Sequence, residues 1–115
     1  MTAGFLNESA VTTLDGSGNG FAKVGPLSAR EVWNPVTAAV SANANPTNEA
    51  QCAIYVGQDK TQSYFRDLTF TGSTGDSSGK VSGLSVRCGE YVWAVWSGGD
   101  AGATARLNVT GDKDV

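Results

Sequence analysis

Histidine is absent from this chain. Its absence removes the Ser-His-Asp and Cys-His nucleophile systems and the usual zinc-hydrolase ligand sets. Cysteine is scarce: Cys52 and Cys88 are the two present, fewer than a secreted mini-scaffold carries and without the close spacing and extra ligands of a zinc site. Each sits in a strand-like run, "AQCAIYV" and "LSVRCGE", which leaves two readings: a pair of buried free thiols, or one disulfide between them. Long apolar runs are also missing. None approaches the roughly 20 residues that span a bilayer, so no membrane partner is expected. Basic residues number 8 against 11 acids, a net charge of −3. They are scattered rather than striped among aromatics, so no nucleic-acid partner is expected either. The opening "MTAGFLNESA" has neither a basic n-region nor an apolar h-region; no secretory signal is expected, and synthesis in a cytosol.

The remaining chemistry is thin. Cys88 beside Arg87 has no base to accompany it and reads as structural. A glycosidase needs two carboxylates facing each other across a cleft, whereas Asp15, Asp59, Asp76, Asp100, Asp112 and Asp114 fall in loops or at the ends. Glu90, next to an aromatic run, reads as a strand-start residue, solvated or bonded to turn amides. "DGSGNG" at 15–20 opens like an oxygen-ligand calcium loop, but the position of the closing glutamate is Pro26. It reads instead as a hairpin loop, since Asp, Asn and Gly are what tight turns require. "TGSTGDSSGK" at 71–80 lacks the spacing of a phosphate-cradling loop, and no helix follows it. No catalytic residue, metal site or cofactor is expected, and the chain reads as a non-enzyme.

What is present is glycine and a period of two. The 15 glycines among 115 residues cluster in "DGSGNG", "TGSTGDSSG" and "SGGDAGA", as turns between strands. Ala103, Ala105, Leu107 and Val109 alternate with Thr104, Arg106, Asn108 and Thr110, the pattern of a strand with one face in a core and one in solvent. Val36, Ala38, Val40 and Ala42 share a face in the same way. Cys52, Ile54 and Val56 share another with Ala50, leaving Gln51, Ala53 and Tyr55 opposite. Further strands are expected near 8–14, 20–24, 30–33, 62–71, 84–88 and 91–97, with Pro26, Pro35 and Pro46 between runs. No stretch has helical periodicity with a cap and a stop. The expectation is one all-β domain over 1–115, an antiparallel two-sheet sandwich of eight to nine short strands, jelly-roll-like or Ig-like. Residues 1–7 are expected as an N-terminal arm and 112–115 as a C-terminal tail.

One strand breaks the alternation. "GEYVWAVW" puts Val92, Ala94 and Trp96 on one face and Tyr91, Trp93 and Val95 on the other, so both faces are apolar. Burying one large aromatic contributes at most about 4–6 kcal/mol. Something should therefore cover the Tyr91–Trp93 face: a loop or the segment "AGFL" of the same chain, another protein, for which Tyr and Trp are favoured anchors, or a sugar. Trp96 belongs to the core. Tyr91, Trp93, Phe5, Leu6 and Val115 are the candidate interface residues, the last three from the two expected arms.

The succession "VGPLSAREVWNPVTAAVS", "AQCAIYVG" and "GEYVWAVWSGGDAGATARLNVTG" resembles small β-sandwich proteins encoded among the virion structural genes of tailed phages of actinobacteria. The resemblance rests on Gly25, Pro26 and Trp33, on Cys52 and Tyr55, on Gly89, Glu90 and Trp96, and on Ala105, Leu107, Val109 and Gly111, over roughly residues 20–111. The alanine-rich stretches "TAAVSANAN" and "GDAGATA" depart from it. It implies a virion component, read first as a capsid decoration (cement) protein on the capsid exterior, with the major capsid protein and other copies of itself as partners; a trimer is preferred because capsid lattices offer local three-fold positions. A tail or head–tail protein is the alternative, and a carbohydrate-binding adsorption module a further one.

Overall fold

The computed structural model describes residues 3–42, 47–70, 76–81 and 83–114. Among these residues nine strands form two antiparallel sheets: β1 (Ala3–Thr13), β2 (Gly20–Val24), β3 (Val32–Ser41), β4 (Gln51–Gly57), β5 (Phe65–Phe70), β6 (Asp76–Lys80), β7 (Val86–Arg87), β8 (Tyr91–Ser97) and β9 (Thr104–Asp114). One sheet has the order β1-β9-β3-β6, with β7 added to β3; the other has the order β2-β8-β4-β5. The eight longer strands pair from the outside inward: β1 with β9, β2 with β8, β3 with β6, β4 with β5. Successive pairs alternate between the sheets, which is the order of a jelly roll. The expected β-sandwich is what forms.

The period of two dictates the core. On β9, Ala105, Leu107 and Val109 are fully buried and Thr104 and Arg106 exposed. From the facing sheet Cys52, Ile54 and Val56 of β4, with Val92, Ala94 and Trp96 of β8, turn inward, all buried. Trp96 is among the largest side chains with no access to solvent, as expected.

Several local expectations are corrected. In β3, Val36 does not share the face of Ala38 and Val40: it is exposed, while Trp33, Pro35, Ala38 and Val40 are buried. The cause is a register shift between Pro35 and Thr37 opposite β9. Pro35 has no N–H for the ladder, and an extra residue there reverses the parity of everything after it. Gly111 makes the bulge possible, since a Cβ on it would lie 2.5 Å from the Asn34 carbonyl oxygen and 2.8 Å from Pro35 Cα. The short strand at 30–33 and its successor are one strand. Among the described residues of 62–71, Gln62–Tyr64 is a 3-10 turn and Phe65–Phe70 is strand. Residues 76–80, read as loop, form β6; the rest of that loop, 71–75, lies outside the described residues.

The arms are corrected too. Residues 3–7 pair with 110–114 in unbroken register, Ala3 opposite Asp114, because each segment supplies the backbone partners the other lacks. Residues 1, 2 and 115 lie outside the described residues. The loop at 15–20 is not a hairpin, for it carries the chain from β1 in one sheet to β2 in the other. The Asp15 carboxylate accepts the Ser17 and Asn19 amides at 2.8 and 3.0 Å, and these bonds hold its pKa below the ordinary 3.8. The cysteines are not joined: Cys52 is buried in β4, and Cys88 is exposed in the turn between β7 and β8.

Candidate functional site: the outer face of the four-stranded sheet

The outer faces of the two sheets differ in chemistry. That of the five-stranded sheet presents Asn7 opposite Thr110, Ser9 opposite Asn108, and Thr37 and Ala39 beside them, a polar centre with exposed Phe5, Val11 and Val36 scattered around it and no aromatic cluster among the described residues. The face of β2-β8-β4-β5 is apolar. Cross-strand register sets Phe21, Val95, Ala53 and Leu68 in one row and Lys23, Trp93, Tyr55 and Phe65 in the next, with Gln51 and Phe70 on the far side. Phe21, Leu68 and Phe70 are 47%, 45% and 56% exposed. Three large apolar side chains half in water on one flat face form a contiguous patch, the kind that marks an interaction surface.

β5 explains how the patch arises. "FRDLTF" alternates, but Leu68 and Phe70 point outward while Asp67 and Thr69 are half-buried. The Asp67 carboxylate lies against Gly79 of the opposite sheet. A second bulge, where Ile54 faces Asp67 but Tyr55 faces Phe65, turns Phe65 onto the Tyr55 ring, edge-on at 5.7 Å.

Trp93 lies at the centre of the aromatic cluster and is only 7% exposed. Its ring contacts Phe21 at 5.9 Å and Tyr91, edge-on, at 5.7 Å, and its indole N–H donates to the Gly57 carbonyl at 3.2 Å. Two lysines complete the cover. Lys23 Nζ stands 4.3 Å from the Tyr91 ring centre and 4.8 Å from that of Trp93; Lys60 Nζ stands 4.7 Å from Phe21 and 5.6 Å from Trp93. Both are cation–π distances. Their hydrocarbon stems supply apolar contact while the ammonium heads stay in water. Trp93 thus leaves water without a second molecule, covered by side chains of β2 and the 58–61 loop rather than by "AGFL".

The candidate residues separate accordingly. Tyr91, half-buried, and Trp93 belong to this face. Leu6 is corrected: it is 2% exposed, because even-numbered residues of β1 face the core, so it offers no surface. Phe5, its neighbour, is 89% exposed on the other sheet, far from the Trp93 cluster in the fold. Val115 lies outside the described residues. Phe21, Leu68, Phe70 and Lys60 were not among the sequence candidates. The signal for two of them was the alternation in "DLTF", whose apolar members would ordinarily be assigned to the core.

Depressions border the patch at both ends. One, of about 530 Å³, runs beside Phe21, Val95 and Ser97; another, of about 390 Å³, lies between Tyr91, Lys23, Leu27 and Trp33. Both are open. Glu90 accepts the Arg87 amide at 2.9 Å, a turn bond with no chemistry attached. Among the described residues no three of His, Cys, Asp and Glu gather as metal ligands. No protein-family model matches the chain, and no curated protein is significantly similar to it.

Proposed function

We propose that this chain is a non-enzymatic structural protein of a bacteriophage virion, a capsid decoration protein that docks on the capsid exterior through the outer face of β2-β8-β4-β5. The observation that carries the docking role is the set of half-exposed Phe21, Leu68 and Phe70 beside the Trp93 aromatic cluster on that face. The virion setting comes from the resemblance in the sequence, and the jelly roll, a fold used by viral capsid proteins among others, is compatible with it.

The size of the patch favours a repetitive target. Four strands about 4.8 Å apart and three rows about 7 Å apart enclose roughly 300–400 Å² with their side chains. A stable pairwise complex buries about 800 Å² per partner. One such face therefore binds weakly, and several copies held together bind well, since linked sites gain a factor of about 10²–10⁴. A homo-oligomer, with a trimer matched to local three-fold positions of a capsid, supplies that linkage. Exposed Phe5 on the edge strand β1 is the contact offered to neighbouring copies.

The test pairs Leu68→Ser with Phe70→Ser in co-sedimentation with capsids lacking this protein. The double variant should melt like the parent, as both side chains are half in solvent, and lose at least about tenfold in binding, the equivalent of about 1.4 kcal/mol. Binding equal to the parent's removes the docking role from this face. Quantitative mass spectrometry of purified particles should find copies in proportion to the major capsid protein; a few or tens per particle would move the protein to the tail or neck.

A further inference from the structure

The strands of the docking face turn charge of one sign outward; the acids nearest to it, Asp15 and Asp59, lie in loops at its ends. Its strands expose Lys23, and Lys60 and Arg66 stand exposed at its margin. The single acid in these four strands, Asp67, is turned toward Gly79 of the other sheet. Neither Lys23 nor Lys60 has a carboxylate partner among the described residues, where the ion pair formed is Lys113 with Glu31 at 3.7 Å. A chain with a net charge of −3 thus sets two lysines without a carboxylate partner over the rings of its apolar patch. Each is held over aromatic rings instead of over an anion.

From this we infer that the partner is a protein surface that presents carboxylates beside its apolar side chains; the inference rests on the docking role proposed for this face. Covering Phe21, Leu68 and Phe70 also covers the neighbouring ammonium groups, and stripping their water without supplying an opposite charge is strongly unfavourable. An acidic partner turns that cost into attraction and steers the approach. The same argument excludes a second copy packed face to face, which would set lysines against lysines. The central ring, Trp93, is already covered by both ammonium groups and offers no stacking platform to a sugar or an unstacked base.

The experiment uses the full chain, labelled with ¹⁵N, and three short peptides that share one set of Leu and Phe residues and carry Glu, Gln or Lys between them. The Glu peptide should shift the Trp93 indole N–H signal and bind at least about tenfold more tightly than the Lys peptide, with the difference shrinking as salt rises. Lys23→Met with Lys60→Met keeps the hydrocarbon cover of Trp93 and removes the charge; it should bring the Glu peptide down to the affinity of the Gln peptide, while the double Arg variant preserves the preference. Leu68→Ser should weaken all three peptides alike. Equal binding of Glu and Lys peptides overturns the acidic partner and leaves the docking face standing. Binding of none, or shifts caused only by phosphatidylglycerol vesicles or single-stranded DNA, overturns the inference. Unchanged binding in Leu68→Ser instead counts against the docking face itself.

Discussion

Trp96 fills the space between the sheets with no exposed surface, and its indole N–H has no hydrogen-bond partner. Its contribution is therefore volume. Trp96→Ala should cost about 3–5 kcal/mol, much of the stability of a domain this size. Trp96→Phe should cost far less, because it leaves no orphaned donor; denaturant melts of the three proteins order them. Cys52, in the same interior, titrates abnormally: burial pushes its thiol up to about 12 from an ordinary 9.0. The unfolded chain then releases this proton above pH 9, while the folded one holds it until about 12. Stability is fully present below pH 9 and falls through that window by about 1.4 kcal/mol per pH unit. Subtracting the pH profile of Cys52→Ala from that of the parent isolates this slope; two parallel profiles would contradict it. A thiol reagent should label Cys88 alone in the native protein, and both cysteines after unfolding.

At the scale of elements, the loops at one end of the sandwich are tied to one another. Gly99 donates to the Gly18 carbonyl at 3.1 Å, Gly98 to the Asn19 side chain at 3.2 Å, and Asp100 accepts the Thr47 and Asn48 amides at 2.9 Å each. Gly18 has φ +75°, and a Cβ there would lie 1.9 Å from the Gly99 carbonyl oxygen. Gly18→Ala should lower stability by at least about 2 kcal/mol, read as a drop in Tm, whereas Gly16→Ala, with open space around it, should not. Strand β9 was legible in the sequence because only one of its faces is apolar. β3 was not, since a bulge at a proline reverses parity without altering the apparent alternation. β6 escaped because "DSSGK" carries no apolar period at all. The docking face was half legible: Tyr91 and Trp93 announced an apolar outer face, but the pairing that sets Phe21, Leu68 and Phe70 beside them is a property of strand order, which periodicity does not encode.

The whole molecule is elongated, 46 × 24 × 20 Å, with the aromatic cluster on one broad side and a mixed surface on the other, polar at its centre and carrying exposed Phe5, Val11 and Val36. In the proposed docking the aromatic side lies on the capsid and the five-stranded sheet faces water. Phe5, on that sheet, is then free to meet a neighbour lying on the same surface. Phe5→Ser should shift the proposed homo-oligomer toward monomer in analytical ultracentrifugation without moving Tm, because the side chain is exposed. A parent protein that sediments as a monomer at all concentrations contradicts the homo-oligomer.

Strand β9 comes after every other strand in the chain, yet in its sheet it stands between β1 and β3. The two neighbours are therefore made first, and until Thr104–Asp114 emerges the edges of β1 and β3 lack the strand that pairs with both, leaving two long edges open to any passing strand. A chain cut before Thr104 should keep that strand-wide slot unfilled. Supplied separately, a peptide of residues 104–114 should insert into the slot and complete the protein in trans.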